Sequence, residues 1–519
     1  MERQAVNMKR KIGLTLIQFL LTVIMLQNLA FAAVTLPAVF SDGMVLQQKT
    51  AAAIWGWASP DEEILITNTW SKQTVRAKTG ASGKWTATVQ TPSAGGPYSI
   101  KIKGQTEIEL RDVLVGEVWL CSGQSNMGFS LKSAYKAKEE IAAADFPAIR
   151  YFSVKRQYGA KEFDDAPGSV WEKTSSQTAG NFSAVAYFFA RKIHQQKGVP
   201  VGLIFSAWGG TPAEAWTPSA VLKEDTVLNR YNQRWMDMFK TVGKDSAAYH
   251  VALDEWEAKR KTADSNNVKK PQEPATLISF NRSWREPSVL FNGMINPVIP
   301  FALKGVLWYQ GESNVSYAGE YVSLFGSMIK SWRQRWNNKP LPFYFVEIAP
   351  FRYNDMEAAA RLRDAQQRVA ATVPQTAAVT TVDVGNMADQ HPTHKKEVGE
   401  RLAAIALNKL YGEKNVAFSG PELKKAVVQN EKLALEFNKA LSTKNGQAPA
   451  GFEIGYKGPN GALLFVPAEA SLQNNNVTIW SEAVSKPAAV RYAWLQIGEA
   501  NLAGKGGLPV APFIKYIKP

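Results

Sequence analysis

The residue best suited to act as a nucleophile is Ser125, in the segment Trp-Leu-Cys-Ser-Gly-Gln-Ser-Asn-Met at 119–127. β-Branched and apolar residues precede this segment, as is typical of a buried strand, and a helix-forming stretch follows at 130–141. The sequence therefore predicts a strand that delivers Ser125 to a loop, followed by a helix whose N-terminus favours nearby negative charge. Met127 stands where the second glycine of a G-x-S-x-G elbow would be, so the segment is not that motif.

A serine nucleophile needs a base near neutral pH, and the chain has four histidines. His194 ends a predicted helix and His250 lies in a charged insertion, and both positions are typical of surface histidines. His391 and His394 instead follow a predicted strand and precede an amphipathic helix, so we expect them on a loop at the carboxyl edge of a sheet. Asp389, two residues before His391, is the candidate that orients the imidazole and stabilises the imidazolium.

Acyl transfer also needs hydrogen-bond donors for the developing oxyanion. The backbone N–H of Ser125 is one candidate, the N–H of Gly209 or Gly210 is a second, and the side-chain amide of Asn314 is a third. All of these residues follow predicted strands. One such donor typically contributes about 3 kcal/mol to transition-state stabilisation.

Two other kinds of site share these residues. His391, His394 and Asp389 have a spacing compatible with a metal site, although no further compact donor cluster accompanies them. Glu312 and Asp389 could form the carboxylate pair of a glycosidase. That reading leaves the serine, the glycines and Asn314 without a role.

The elements that position these residues alternate between apolar strands and amphipathic helices. This alternation predicts an α/β domain with a largely parallel sheet covered on both faces, whose catalytic groups gather beyond the carboxyl ends of the strands. The further predicted strands lie at 201–206, 303–308, 343–348 and 377–382, and the predicted helices at 183–196, 317–336, 356–372 and 397–410.

Regions of short strands separated by turn residues flank the α/β region on both sides. We therefore predict an N-terminal β-domain at 33–110, an α/β domain at 111–412 and a C-terminal β-domain at 413–519. A charged stretch rich in tryptophan at 217–287 is predicted to be a helical insertion in the α/β domain.

Composition limits the class of protein. Residues 1–32 have a basic start, an apolar core and an Ala-Phe-Ala ending, which predicts a secretory signal peptide and an exported protein, periplasmic or extracellular. No other segment approaches the length of a membrane span, so no stable membrane insertion is expected after cleavage. The formal charge of +15 becomes +12 when that segment leaves, and its basic residues are scattered, which does not favour nucleic acid. Cys121 is the only cysteine and lies within an apolar strand, as is typical of an unreactive thiol.

Several motifs resemble known esterases. Ser125, the Gly209-Gly210 pair, Asn314 and His391 resemble the ordered blocks of SGNH hydrolases, which are named for a Ser, a Gly, an Asn and a His. Longer segments resemble the bacterial sialate O-acetylesterase group over nearly all of the mature chain. These segments are Met-Val-Leu-Gln-Gln at 44–48, Val-Trp-Leu-Cys-Ser-Gly-Gln-Ser-Asn-Met at 118–127, Asn-Gly-Met-Ile at 292–295, Trp-Tyr-Gln-Gly-Glu-Ser-Asn at 308–314 and Val-Arg-Tyr-Ala-Trp at 490–494.

The resemblance implies an SGNH-type (flavodoxin-like) α/β/α domain and a serine esterase that needs no metal and no organic cofactor. It implies Ser125 as nucleophile, His391 as base, and Gly210 or Gly209 with Asn314 as oxyanion donors. The SGNH pattern has Asp three residues before the His, where this chain has Ala388. The group that orients His391 is therefore Asp389, Asp383 or a backbone carbonyl.

The predicted function is removal of O-acetyl groups from carbohydrates, with O-acetylated sialic acids as substrate. Acetylated plant polysaccharide such as xylan is the alternative substrate. The alternative from another class is a non-catalytic carbohydrate-binding protein on the same fold. Arg363 and Gln366 also match a segment of the resembled family, where a structural role beneath the site is expected.

Overall fold

The computed structural model of the chain describes residues 33–265, 284–495 and 497–517. The side chains of residues 239–250 and 264–265 lie outside that description, as does the signal peptide predicted for residues 1–32. Within the described ranges, no helix combines the length and apolar character that crossing a membrane requires.

The N-terminal region consists of short strands, as its turn-rich pattern predicts. In the strand at 84–90, every second residue is buried, so one face packs on a core and the other meets solvent. The strands are β1 (Val45–Gln47), β2 (Ala51–Trp57), β3 (Glu63–Asn68), β4 (Val75–Lys78), β5 (Lys84–Gln90) and β6 (Gly95–Lys103). β2 pairs with β5, and β3 pairs with β4 and β6.

One long strand joins this region to the central sheet. The strands that follow are β7 (Glu107–Gly123), β8 (Phe146–Ser153), β9 (Trp171–Thr174), β10 (Val201–Ala207), β11 (Gly305–Tyr309), β12 (Phe343–Val346) and β13 (Thr376–Val379). The first part of β7 pairs antiparallel with β6, whereas its end lies in parallel register between β10 and β11. The boundary predicted between residues 110 and 111 falls inside β7.

The central sheet has the order β13-β12-β11-β7-β10-β8-β9, and only β9 runs antiparallel to its neighbour. Without β8 and β9 at one edge, the chain order of the strands reads 2-1-3-4-5 from β10 to β13, which is the flavodoxin-like arrangement. The order reverses between β7 and β11. Ligands bind such sheets beyond the carboxyl ends of the strands at that point.

Helices cover both faces of this sheet, which gives three layers. The helices are Ala137–Ala142, Ala184–Lys197, Ser219–Glu224, Asn229–Ser265, Tyr321–Arg335, Met356–Thr372 and Lys395–Lys409. Alternate side chains of β7 point to opposite cores: Leu120 packs in the core of the helices at 321–335 and 356–372, and Cys121 packs in the core of those at 184–197 and 395–409. The long helix at 229–265 lies in the predicted insertion.

The C-terminal region folds into two four-stranded sheets, β14-β15-β20-β19 and β18-β17-β21-β23, and one two-stranded pair, β16-β22. Its strands are β14 (Leu423–Gln429), β15 (Lys432–Phe437), β16 (Leu441–Thr443), β17 (Phe452–Lys457), β18 (Leu463–Pro467), β19 (Glu469–Gln473), β20 (Asn476–Trp480), β21 (Ala489–Tyr492), β22 (Leu502–Gly504) and β23 (Phe513–Tyr516). Residues from both four-stranded sheets share one apolar core.

The helix predicted directly after Ser125, at 130–141, is wrong. The chain instead forms a turn at 125–127, an isolated bridge between Ser130 and Ser183, and a single 3₁₀ turn at Leu131–Ser133 before the short helix Ala137–Ala142. The N–H of Leu131 donates to the carbonyl of Phe182, so contacts with another segment prevent a continuous helix. No helix N-terminus follows Ser125 directly.

Candidate active site

The nucleophile loop begins where β7 ends. Gly123 has φ +136°, and a Cβ on it would lie 2.2 Å from the carbonyl oxygen of Tyr309, so only glycine fits against β11 here. The N–H of Gln124 donates to the same carbonyl at 2.9 Å. These contacts turn the chain at the point where the strand order reverses and leave Ser125 partly exposed.

The structure brings His391 to Ser125, as the sequence predicts. The Nε2 atom of His391 lies 2.8 Å from the Oγ of Ser125, within hydrogen-bond distance. The two residues are 266 positions apart in the chain. An imidazole at this distance can remove the hydroxyl proton as a general base.

Asp389 is near His391 but does not bond its ring. Its Oδ1 lies 3.8 Å from Nδ1 of His391, beyond hydrogen-bond distance, and accepts instead from the backbone N–H of His391 at 2.8 Å. The Asp389 side chain is 55% exposed and that of His391 is 39% exposed. Asp389 therefore fixes the backbone of the histidine loop, and water reaches both side chains.

Asp383, the other acid considered for His391, is bound elsewhere. Both of its carboxylate oxygens accept from Arg401 at 2.7 Å, and Lys444 pairs with one of them. Burial opposes its ionisation, but the bonds from Arg401 and Lys444 outweigh burial and hold the pKa of Asp383 below its ordinary value. This ion pair joins the α/β region to the C-terminal strands.

A buried polar cluster that the sequence did not reveal lies beside the catalytic pair. Asn126 Nδ2 donates to Oε1 of Glu312 at 2.5 Å and to the carbonyl of Gln390 at 3.1 Å. Lys395 Nζ donates to Oδ1 of Asn126 at 2.5 Å. Asn126 and Lys395 have no exposed surface, and Glu312 is 9% exposed.

Burial of this cluster shifts the pKa values of its charged members. Burial lowers the pKa of Lys395 to about 7, against the attraction of Glu312. Burial likewise raises the pKa of Glu312, and its bond from Asn126 only partly offsets this. Glu312 is thus committed to Asn126, which does not suit a glycosidase pair with the exposed Asp389.

Three backbone N–H groups near Ser125 are available for an oxyanion. Those of Ser125, Gly209 and Gly210 have no acceptor among the described residues. A Cβ on Gly209 would lie 3.3 Å from the Cβ of Ser125, so Gly209 is packed against the nucleophile. Gly210 has φ +71° and faces open space.

The side chain of Asn314 is bonded to protein groups that follow Gly209 and Gly210, which we call the glycine loop. Its Oδ1 accepts from the N–H of Ala213 at 2.9 Å and from Gln310 Nε2 at 2.7 Å, and its Nδ2 donates to Glu214 at 2.8 Å. Its exposure is zero, so it offers no accessible surface to a substrate. Glu214 is also buried, and burial raises its pKa to about 7.

Gln124 is an amide that the sequence reasoning missed. Its Oε1 accepts from the N–H groups of Gly311 and Ser313 at 3.3 and 3.4 Å, which orients the side chain. Its Nε2 has no acceptor among the described residues. The sequence did carry one signal for an oxyanion donor at this position, because Gln124 directly precedes Ser125. Gln124 is 3% exposed.

The remaining candidates have other partners. His394 stacks on Tyr135 and bonds Glu397, and His194 bonds the carbonyl of Val199. The side chain of His250 lies outside the described residues. Within the described ranges, no group of three or more His, Cys, Asp or Glu side chains could hold a metal ion. Burial raises the pKa of the Cys121 thiol.

Arg363 and Gln366 lie beneath the site. Gln366 bonds the carbonyl of Gln310 and the N–H of Ile348, each at 3.0 Å. Arg363 donates to the carbonyl of Trp494 at 2.9 Å, and both side chains are buried. They connect the floor of the site to the C-terminal region.

Comparisons with known proteins find related carbohydrate esterases. The family model described as carbohydrate esterase, sialic acid-specific acetylesterase, matches residues 115–245 and 276–408. The sialate O-acetylesterase of Rattus norvegicus is 29% identical over 492 residues, which are 87% of this chain and 88% of that protein. The human sialate O-acetylesterase is 26% identical over 92% of this chain and 91% of its own length.

A solved structure is also similar. The crystal structure of a carbohydrate acetylesterase from Xanthomonas citri is 33% identical, with a TM-score of 0.78. The match covers 93% of this chain and 99% of that one. The chain therefore belongs to the carbohydrate esterase family of sialic acid-specific acetylesterases, and it is a carboxylic ester hydrolase.

Proposed function

We propose that the chain is an exported serine esterase that removes O-acetyl groups from carbohydrates through an acetyl-enzyme on Ser125. The observation that carries this proposal is the 2.8 Å contact between Ser125 Oγ and His391 Nε2 at the point where the sheet order reverses.

The reaction follows from the geometry. His391 removes the Ser125 hydroxyl proton as Oγ attacks the acetyl carbonyl, and the tetrahedral intermediate expels the sugar hydroxyl, which takes that proton. Water, deprotonated by His391, then attacks the acetyl-enzyme and releases acetate, and the proton returns to Ser125. The chain's own side chains suffice for every step, so no cofactor is required.

For the oxyanion we propose the N–H groups of Ser125 and of Gly209 or Gly210, together with Gln124 Nε2. Gln124 is favoured over Asn314 as the side-chain donor because its oxygen is anchored and its nitrogen is free, whereas Asn314 is buried on Glu214. Asn314 then acts as the support of the glycine loop, through its bond from Ala213.

The proposed substrates are O-acetylated sialic acids. Support comes from the description of the family and from the two sialate O-acetylesterases, and the formal charge of +12 without residues 1–32 suits an acidic sugar. Acetylated xylan is the second candidate, because the similar Xanthomonas citri protein is described only as a carbohydrate acetylesterase. Acetate release from both substrates, measured side by side, decides between them. Faster release from xylan would overturn the sialic acid assignment.

A fluorophosphonate probe tests whether the protein is catalytic at all. We expect the wild-type chain to be labelled covalently at one peptide, the one that contains Ser125. A carbohydrate-binding protein on the same fold would bind acetylated sugars and remain unlabelled.

Export is tested separately. Mass spectrometry of the protein recovered from the medium or the periplasm is expected to find a chain that lacks residues 1–32. Recovery of the full-length chain from the cytoplasm alone would contradict export.

A further inference from the structure

Aromatic rings and an arginine form a stack close to the catalytic pair. The indoles of Trp208 and Trp284 are parallel, with ring centroids 5.5 Å apart and an interplanar angle of 6°. The guanidinium carbon of Arg156 lies 5.3 Å from the Trp208 ring centroid, and the ring of Tyr158 meets Trp208 edge-on at 5.9 Å. We call these four residues the Arg–Trp stack.

The Arg–Trp stack begins one residue from the proposed oxyanion loop. Trp208 follows β10, and its N–H donates to the carbonyl of Gly123 at 3.1 Å. The next residue is Gly209, which is packed against Ser125. The backbone therefore places Trp208 next to the glycine that contacts Ser125.

The guanidinium of Arg156 is available to a ligand. It is exposed and has no ion pair within the described residues, whereas Arg150 pairs with Asp112 at 2.9 Å and Arg335 pairs with Glu162. A guanidinium that lies over an indole keeps its in-plane N–H donors free, and these match a carboxylate in a bidentate fashion. Exposed aromatic side chains such as Tyr158, 40% exposed, provide apolar surface for a sugar ring.

We infer that the Arg–Trp stack is a substrate subsite in which Arg156 binds the carboxylate of an acidic O-acetylated sugar. Arg156 is then the residue that determines preference for sialic acid over neutral acetylated sugars. This inference rests on the proposed function, since it assumes that the acetyl ester reacts at Ser125.

The test uses two matched substrates, an O-acetylated sialic acid and the same sugar with its carboxylate converted to an amide. Arg156→Gln is expected to lower kcat/KM for the acid by about 10- to 100-fold, the loss typical of a charge-assisted hydrogen-bonded pair. For the amide, kcat/KM should stay within about twofold of the wild-type value. Arg156→Lys keeps the positive charge but loses the pair of N–H donors that bind a carboxylate in a bidentate fashion, so kcat/KM for the acid should recover only in part.

Lys155→Gln is the matched control, because it removes one positive charge from the neighbouring exposed residue without touching the stack. It should leave both substrates unchanged. Equal losses on acid and amide, or no loss in Arg156→Gln, would overturn the subsite. Failure of the wild-type enzyme to release acetate from either sugar would instead contradict the proposed function.

A second inference comes from a different observation, the buried cluster around Asn126. No ring hydrogen bond from Asp389 fixes His391, yet its Nε2 lies at bonding distance from Ser125. Asn126 directly follows Ser125, and its amide donates to the carbonyl of Gln390, which directly precedes His391. One side chain thus connects the two catalytic loops.

Glu312 and Lys395 hold this amide in place from both ends. Nδ2 needs acceptors and Oδ1 needs a donor, and the cluster supplies each at 2.5 Å. We propose that Asn126 is a positioning residue that sets the distance between Ser125 and His391. Small displacements matter here, because a shift of about 1 Å in a catalytic contact can lower a rate about 100-fold.

Asn126→Ala is expected to lower kcat by about 100-fold and to leave KM within about threefold, because it misplaces His391 without touching the substrate. Fluorophosphonate labelling should slow in parallel. Glu312→Gln retains an acceptor for Nδ2 and should keep kcat within about tenfold of the wild-type value.

Asn501→Ala is the matched control. Asn501 is 6% exposed, and its side chain also makes bonds through both amide atoms, but it lies in the C-terminal region. Its loss should lower the melting temperature without changing kcat of the folded enzyme. Rates are therefore normalised to the folded fraction from circular dichroism. If Asn126→Ala keeps the wild-type kcat after that correction, the positioning role is wrong.

Discussion

The loops that carry Ser125 and His391 differ in how they are held. Around Ser125, residues 121–124 and 126–127 are buried, and the loop is bonded to β11 and to the buried Glu312 and Lys395. Around His391, the side chains of Asp389 and His394 are 55% and 45% exposed. The residues on both sides of Ser125 thus belong to the core, whereas His391 sits on a solvated loop anchored through its backbone. The Ser125 loop, which we propose contributes to the oxyanion site, is held by buried contacts. The His391 loop, which carries the proposed base, is accessible to water.

Removing the nucleophile should have the largest effect. Ser125→Ala is expected to lower acetate release by about 10⁴-fold or more while the melting temperature stays within about 2 °C, because the hydroxyl supports no packing. Ser130→Ala, five residues along the same loop, is the control and should keep full activity. Retained activity in Ser125→Ala would contradict the mechanism.

Gln124 tests whether the buried side of the site supplies the oxyanion donor. Gln124→Ala is expected to lower kcat by about 100- to 1000-fold, the loss seen for one such donor. Asn314→Ala should act mainly on stability, since Asn314 supports the glycine loop from below. If Asn314→Ala lowered kcat in a fully folded protein and Gln124→Ala did not, Asn314 would be the oxyanion donor and Gln124 would not.

The pH dependence of stability tests whether the buried Glu214, which bonds Asn314, is protonated in the folded protein. Its pKa is raised to about 7 by burial, so the folded protein keeps a proton that the unfolded chain releases above its ordinary pKa of 4.5. Its contribution to stability is therefore present below pH 4.5 and is lost as pH rises through about 7.

Glu214→Gln removes that titration and retains an acceptor for Asn314. The melting temperature of the variant relative to the wild type should accordingly rise between pH 4 and pH 8, by an amount that corresponds to about 1 to 3 kcal/mol. Melting curves at several pH values measure it. A difference that is flat or falls with pH would show that Glu214 is ionised in the folded protein.

Substitution of Asp389, on the exposed His391 loop, should have the smallest effect on kcat. Asp389→Asn retains an acceptor for the N–H of His391, so we expect less than about a tenfold loss in kcat. In a triad whose acid bonds the imidazole, the same change lowers kcat by about 10⁴-fold. The pH profile of kcat should keep its shape. A loss of that larger size would show that the carboxylate reaches the ring during the reaction.

The sequence placed Ser125 and His391 at one edge of the sheet because its signals are local. An apolar run that ends in small residues predicts a strand and a loop, and the carboxyl ends of parallel strands meet at one edge of the sheet. Ser125 and His391 follow two such strands, so they could be placed together without a structure. The helix 356–372 was predicted with the bounds that the structure has, because its 3.6-residue periodicity is clear.

Elsewhere the local signals were weaker. Strands β8 and β9 at one edge of the central sheet were missed, as were the short strands β16 and β22. For β9, β16 and β22 the reason is length, because three or four residues give little periodicity. The helix expected at 130–141 failed because Ser130 and Leu131 pair with a segment about 50 residues away, a contact that propensity does not report.

What the sequence indicated by itself is thus the candidate pair and the family: a serine and a histidine on loops at one edge of an α/β sheet, within a recognisable esterase family. Only the tertiary structure decided what supports them. Asn126 meets Glu312 and Lys395 across 186 and 269 positions of the chain, and Arg156 meets Trp208 in the same way, through folding rather than through spacing. A polar residue at such a position has no periodic partner in the sequence, because its hydrogen bonds form only when distant segments pack together.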